Sequence, residues 1–546
     1  MPSILTQSGF QRTARPAIYT RVDASALAGG APTSGRVAIV GDFPAFPSAE
    51  PITFSSRRAL TAHDPSSLEL SHLAQLAFSP ANDPAINGGA SQVLICNARS
   101  GTAAASLTLG PLTLTSKVSG ARGNRLKAAL TISANNYTLA LSRAELTESY
   151  EVEARPLFSL TNTTGESLTL SLVSGALTIT GASSGELLSV SVSEAPTLRA
   201  AVGLIDSLEN ISATLTEPRA IPLDEIEALE ETITDTATAQ VRAPAQALYT
   251  ALLSSGLVGV SIDTSDSAPS LTATTQQAAG GLDGSSLDYS AALEALEAED
   301  VQIIALMSTD EAAHNLLISH LEAAALAGYE RQAYTAAPHT ETLDAIRQRA
   351  SALNRPDVAL AAQEITLFDA RAQRVTLDAT HTALMFAAMQ AGSDTGEPLT
   401  RKRPAIITTG QNFNTHTDAE QALTSGLIFI SFDRIGPRVE RSVTTWLEDN
   451  NPIYSEVSSY ESALVSLRDL RAALADQIGR PTRSSQRALI EARITARLEA
   501  QVRDGVIKSY KGVSLEDLGD HVAVSVEVAP VEPLNFITLT SVVIRG

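Results

Sequence analysis

From residue 105 to about residue 215, apolar side chains fall on alternate positions. Leu107-Thr-Leu109, Leu112-Thr-Leu114, Tyr137-Thr-Leu-Ala-Leu141, Leu168-Thr-Leu-Ser-Leu172 and Leu177-Thr-Ile-Thr180 all show it. Gly120, Gly165, Gly175, Gly181 and Gly185 punctuate these runs. A period of two sends one side chain into a core and the next into water, the pattern of half-buried strands joined by turns. The stretch predicts a β-sandwich or small barrel. It also divides the chain, because the sequence on either side has another rhythm.

On the N-terminal side, residues 1–22 hold Pro2, Gly9 and Pro16 and no periodic apolar pattern, so they read as an extended arm. Twenty residues fully extended reach ~65–70 Å. Within the arm, Ile18-Tyr19-Thr20-Arg21-Val22 alternates like a short strand with no sequence neighbour to pair with. Residues 35–104 predict a small α/β unit. Val37–Val40 and Val93–Cys96 are its strands, and Leu68–Phe78 is a helix bracketed by Asp64-Pro65 and Ser79-Pro80.

Beyond the alternating stretch, Leu223–Thr234 has an acidic helical pattern, Gln276–Ser286 a loop composition, and Ser290–Glu299 a short helical one. From residue 301 strand and helix alternate: strand Val301–Met307, helix Asp310–Ala327 capped by Ser308 or Thr309, helix Thr340–Leu353, strand Val358–Leu367 and helix Thr382–Gln390. Gly426–Phe432 reads as a buried strand and Val439–Trp446 as a second. Asn450-Asn451-Pro452 is a turn, and helices follow at Tyr460–Ile478 and Gln486–Val502. Val522–Val528 and Phe536–Ile544 form a period-two pair, with Pro530 and Pro533 barring a tight hairpin between them.

The fold class predicted is multidomain α+β. An α/β core is made from N- and C-terminal parts of the chain, with an inserted β-rich domain and extended terminal arms. The expected boundaries are an arm at 1–22, core at 23–104, β-rich insertion at 105–215, a connecting region at 216–300, core again at 301–534, and a terminal strand at 535–546.

Composition limits what such a chain does. Sixty acidic against 39 basic residues give a formal charge of −21, which argues against general nucleic-acid binding. Aromatics are 4%, so the cores must be aliphatic, and stacking platforms for sugars are scarce. One cysteine, Cys96, precludes an internal disulfide and sits in an apolar strand, where a buried inert thiol is expected. The first ten residues lack a basic, then apolar, leader pattern, and no run approaches the ~18 apolar residues of a membrane span. Assembly in a host cytoplasm, without membrane insertion, is therefore expected.

Catalytic patterns are absent. Gly41-Asp-Phe-Pro44 follows a strand but matches no phosphate-loop signature. The eight histidines show no H-x-x-x-H or H-E-x-x-H spacing, no G-x-S-x-G occurs, and neither cofactor nor metal is expected. The cluster Glu227, Glu230 and Glu231 reads as a solvated face, as does Glu297, Glu299 and Asp300. On the helix Gln486–Val502, Ile490, Ile494, Leu498 and Val502 form a stripe flanked by Arg483, Arg487, Arg493, Arg497 and Arg503.

The order of several motifs resembles a known family. Arg15-Pro-Ala-Ile-Tyr-Thr-Arg21, then Gly35-Arg-Val-Ala-Ile-Val-Gly41, then Ala422–Gly426 with its apolar strand and Val439-Glu-Arg-Ser-Val-Thr-Thr445, and finally the closing strands, are similar to contractile tail sheath proteins of myovirus-type bacteriophages. Gly120-Ala-Arg-Gly-Asn124 resembles a glycine turn of the same family. The resemblance is weak over about 105–300. It implies a helical stack of rings around a tail tube, in contact with baseplate and tail terminator proteins, contracting to drive genome delivery. It further implies strand exchange between subunits through Ile18, Tyr19, Thr20, Arg21 and Val22 at one end and Phe536, Ile537, Thr538, Leu539, Thr540, Val542 and Ile544 at the other. Arg487, Arg493 and Arg497 are candidates for contact with the tube or a neighbouring subunit. Two rivals are a phage-like injection particle or tailocin and, in another class, a β-rich surface adhesin.

Overall fold

The computed structural model describes residues 35–535, apart from 218, 412, 414, 450, 480–483 and 518–521, together with the short paired segments Thr6–Gln7 and Arg12–Thr13. Two compact units divide the chain. The first comprises residues 1–43, 48–100 and 286–546; the second comprises 44–47 and 101–285.

The first unit is built on a six-stranded sheet. Its strands are β1 (Arg36–Gly41), β2 (Ile52–Phe54), β3 (Gln92–Asn97), β4 (Ile303–Leu306), β5 (Gln332–Ala336) and β6 (Val358–Ala361), in the order β6-β5-β4-β1-β3-β2. All neighbours are parallel except β2, which runs antiparallel to β3. The register sets Val37 beside Ile303 on one side and Val93 on the other. Parallel strands covered on both faces carry apolar runs rather than alternation, as in Val37–Val40 and Ile303–Leu306, where every side chain is buried. Its longer helices are α1 (Leu68–Phe78), α2 (Glu311–Ala327), α3 (Leu343–Leu353), α4 (Ala379–Ala391), α5 (Val457–Leu474) and α6 (Ser484–Arg503). In α4 all residues but His381 are buried, as expected of a helix that is apolar all round.

The strands and helices of this unit largely follow the sequence reading. α1 spans the predicted residues. α2 is capped by Asp310, whose carboxylate accepts from the Ala312 amide, rather than by Ser308 or Thr309. The predicted strand 358–367 is two strands, β6 and Ile365–Phe368, separated by Gln363. That buried side chain pairs with the backbone of Ile430, accepting from its amide at 2.6 Å and donating to its carbonyl at 3.0 Å. Val439–Trp446 is not a strand beyond Pro437–Val439. Its β-branched residues instead anchor loops: Thr445 Oγ1 donates to the Arg355 carbonyl, and Thr444 Oγ1 to that of Tyr454.

Cys96 is fully buried in β3, its thiol donates to the Ala292 carbonyl at 3.1 Å, and burial pushes its pKa up to about 12. Because only the thiolate is nucleophilic, native protein is expected to resist thiol reagents until it unfolds. Stoichiometric labelling without denaturant would contradict this placement.

The second unit has two aliphatic cores. One lies among Leu107, Leu112, Leu114, Leu130, Leu139 and Leu141, drawn from two four-stranded sheets, and the helix Pro244–Leu252. The other gathers Leu160, Leu168, Leu170, Leu172, Leu177 and Ile179 with the helix Leu198–Ile205. Ser174 and Gly175, both at positive φ, close the hairpin 168–181 as a type I′ turn.

Several expectations for this unit need correction. It extends to residue 285, so 216–285 is not a connecting region. Leu223–Thr234 is a short 3-10 turn and the strand Leu229–Ile233, not a helix. Gln276–Ser286 is not a loop: Thr274–Gln277 and Leu282–Leu287 are edge strands. Glu227 is not solvated. It is buried, and its carboxylate accepts from the Ala245 and Gln246 amides at 2.8 Å each. It thereby caps a helix whose own N-cap, Ala243, has no side-chain oxygen to offer.

Candidate inter-subunit interface

The resemblance placed subunit exchange at both ends of the chain. Ile18–Val22 and Phe536–Ile544 lie outside the described residues. What the structure describes is the platform from which the second segment departs. The strand β8 (Val522–Ala529) pairs antiparallel with β7 (Ser509–Asp517), with Tyr510 opposite Val528 and Lys511 opposite Glu527. The sequence reading paired 522–528 with 536–544, which lie outside the described residues; among the described residues the partner of 522–529 is 509–517. That partner was missed because Gly512, at φ +67°, introduces a bulge that breaks the alternation between Lys511 and Ser514. Among the described residues the ribbon has no third strand.

One face of the ribbon packs on α5 and α6. Tyr510, Val513, Val526 and Val528 meet a cluster of Leu470, Ile494, Leu498, Val506 and Ile507. Of the stripe read on α6, Ile494 and Leu498 are buried, whereas Val502 is exposed. The arginines beside it have partners in the same chain. Arg497 pairs with Asp469 and Arg493 with Asp476, tying α6 to the last turns of α5 and the residues just beyond it, while Arg487 donates to the Leu515 carbonyl of β7 at 3.1 Å.

After β8 the chain returns to the N-terminal turns of α5. Ser459 Oγ donates to the Val531 carbonyl at 2.7 Å, and Asn535 Nδ2 donates to Glu456 Oε1 at 2.8 Å. The same Glu456 oxygen accepts from Arg441 Nε at 2.6 Å. Glu456 is fully buried, and that burial raises its pKa against the lowering effect of Arg441. Residues 536–546 thus follow a fixed point on the core.

The stretch ahead of α5 is ordered by aromatic packing. The ring of Trp446 lies 5.0 Å from that of Tyr454, which lies 6.1 Å from Tyr460, and the indole donates to Asp449 at 2.9 Å. Gly426 precedes the segment that runs beside β6, where the Ile428 amide donates to the Leu360 carbonyl at 3.1 Å. Elsewhere in this unit, buried Arg331 donates to the carbonyls of Leu296 and Glu299 at 2.7 Å and contacts His320 at 2.8 Å. Burial, then the Arg331 charge, lowers the His320 pKa to about 4, so this histidine is a neutral core residue. Among the described residues, no group of three or more His, Cys, Asp or Glu is arranged to hold a metal ion. No described helix is long and apolar enough to cross a membrane.

Strands β4 to β6, helices α2 to α4 and the Gly426–Thr445 segment all fall within residues 284–445, which match the family model described as the phage tail sheath protein central domain. This stretch is similar to a phage tail sheath central domain. The tail sheath protein of Bacillus phage SP01 is 23% identical over 252 residues, covering 46% of this chain and 44% of that protein. The match thus spans less than half of that curated relative. Two solved structures share the fold. The sheath tail protein of Desulfitobacterium hafniense has a TM-score of 0.55 at 14% identity and covers 95% of this chain and 97% of its own. That of Listeria innocua has a TM-score of 0.57 at 13% identity, covering 93% of each. The shared fold therefore extends well beyond residues 284–445.

Sequence reasoning missed Glu456, Glu461 and Asn535. A signal existed for Glu461, which falls on the apolar face of α5 between Val457 and Leu464 at helical spacing. No comparable signal marks Asn535.

Proposed function

We propose that this chain is the structural subunit of a contractile phage tail sheath. It polymerises helically around a tail tube and shortens to drive that tube through a host envelope. The observation that carries the reading is the sheath central domain at 284–445, set in a chain whose fold resembles solved sheath proteins over more than nine-tenths of its length. The β7–β8 ribbon suits it. An open two-stranded ribbon accepts further strands through main-chain hydrogen bonds, which hold connectivity while the partners pivot. Residues 18–22 and 536–544 are the strands proposed to add there, from neighbouring subunits. The second unit is proposed to face away from the tube. Arg487, Arg493 and Arg497 have in-chain roles, and any contact of theirs with the tube is secondary to them. Baseplate and terminator proteins would bind the ends of the stack, and the subunit would reside in the virion after assembly in the host cytoplasm.

Negative-stain electron microscopy of the purified chain, full length and lacking residues 1–22, tests this. Long hollow tubes are expected from the full-length protein and should be lost on deletion. Discrete, monodisperse particles from both would overturn the reading.

A further inference from the structure

Helix α2 presents an apolar strip to solvent. Ala312, Leu316, Ser319, Ala323 and Leu326 are exposed at spacings of four, three, four and three, and exposed Tyr329 follows just beyond the helix end. The outer face of a surface helix is ordinarily polar. Here the two acidic side chains of α2, Glu311 and Glu322, turn to Arg349 and Arg355 of the same chain. Leu326 is 52% exposed and Tyr329 57%. The inner face of α2 puts Ala313, Leu317 and Leu321 into one core with Ala38, Val40 and Leu94 of the sheet. The helix Tyr289–Ala295 packs beside α2 in that core. Glu294 and Glu297, from its end, are exposed and make no ion pair among the described residues, so the strip has an acidic border.

A complementary feature belongs to the other side of the same sheet. Strands Ile365–Phe368 and Arg374–Leu377 form a hairpin in which Phe368 is opposite Arg374. Thr366 and Thr376, two residues away on each strand, touch through their hydroxyls at 3.0 Å, so by the period of two Phe368 and Arg374 share that face. Phe368 is 57% exposed. Arg374 and, in the turn, Arg371 are exposed and make no ion pair among the described residues. Asp369 fixes the turn, its carboxylate accepting from the Arg371 and Gln373 amides at 2.9 and 2.7 Å. Gln75 of α1 ties the hairpin down, its Nε2 donating to the Phe368 carbonyl at 2.8 Å. α1 packs on α4, and α4 touches β1, β4 and β5 without joining the core that holds α2. Successive strand residues point to opposite faces, so α2 and the hairpin lie on opposite sides of the sheet.

We propose that the Phe368–Arg374 hairpin of one copy docks on the α2 face of the next copy, with Phe368 against the apolar strip and Arg371 and Arg374 toward Glu294 and Glu297. Charge selects the occupant. An exposed aromatic beside two arginines without ion pairs fits an apolar face with an acidic border, and both surfaces belong to this chain. Lying on opposite sides, they cannot meet within one copy. The contact is therefore head to tail, of the kind that closes rings or extends helices. It is separate from the terminal-strand exchange proposed above and needs only that copies associate.

Charge reversal and mixing of full-length chains test the contact. Arg371→Glu/Arg374→Glu gives the hairpin the sign of the α2 border, and Glu294→Arg/Glu297→Arg does the converse. In low-salt sedimentation velocity each variant alone is expected to self-associate about tenfold more weakly than wild type, and an equimolar mixture to recover to within about twofold, since every hairpin then meets a border of opposite sign. Phe368→Ser should weaken association without recovering on mixing with either. The substituted positions are all exposed, so unfolding midpoints should stay at the wild-type value. If a reversed variant does not fold, Arg374→Lys decides, because it keeps the charge and a carbodiimide joins lysine to carboxylate. A link from that position to Glu294 or Glu297 supports the contact; links elsewhere, or none, overturn it. A wild type that stays monomeric, reversals without effect, or no recovery on mixing also overturn it. Recovery in assemblies that are not tubes supports this contact and counts against the sheath reading. Tubes indifferent to all three variants overturn the contact and leave that reading standing.

Discussion

Replacing Glu456 with alanine is expected to cost about 3–5 kcal/mol of stability, the range seen when one partner of a buried ion pair is removed. The carboxylate is fully buried and a single oxygen accepts from both Arg441 and Asn535, so its loss removes two bonds and leaves a half-buried guanidinium without that counter-charge. It also releases residue 535 from the core, so cleavage within 531–546 by a nonspecific protease should accelerate in the native state. Urea unfolding and limited proteolysis check both effects. Glu456→Gln, which keeps an oxygen for Asn535 but not the charge, should retain more of the proteolytic protection than of the stability. A loss below 1 kcal/mol with unchanged proteolysis would mean that the anchor is not at Glu456.

The second large effect is expected at Gly426. Its φ of +79° is one that side chains rarely adopt, and a Cβ there would meet the Thr444 carbonyl oxygen at 2.7 Å and Thr445 Cα at 2.8 Å. These are backbone atoms held in place, since the Thr445 amide donates to the Val358 carbonyl at 2.9 Å and the Thr444 amide to that of Ser455 at 3.0 Å. Gly426→Ala should therefore cost about 3–5 kcal/mol, the strain of the left-handed region adding to the overpacking. It should show as a lower urea midpoint with unchanged slope. A midpoint within error of wild type would show that the 444–445 loop yields freely.

How far the fold could be read from sequence depended on whether one element's own pattern decided its state. Strands β1 and β3 and helix α1 were legible because apolar runs and flanking prolines agree. Leu229–Ile233 was not, because a spacing of four residues fits one helical turn and also the same face of a strand. The strands at 274–277 and 282–287 were not, because polar, glycine-containing sequence forms ladders only when neighbouring strands supply them. The candidate interface was legible in outline, through the alternating 522–528 run and the α6 stripe, but its polar anchor was not. Asn535 reaches Glu456 across 79 residues, and Gln390 reaches Gln332 across 58, distances over which no local pattern speaks.

The central claim is that subunits join through their terminal segments. Cryo-electron microscopy of the assembled particle tests it most directly. The account predicts a helical stack of rings in which residues 536–544 and 18–22 of neighbouring subunits lie as added strands beside the 509–529 ribbon. A particle in which both segments pair within their own chain, leaving that ribbon two-stranded, would contradict it.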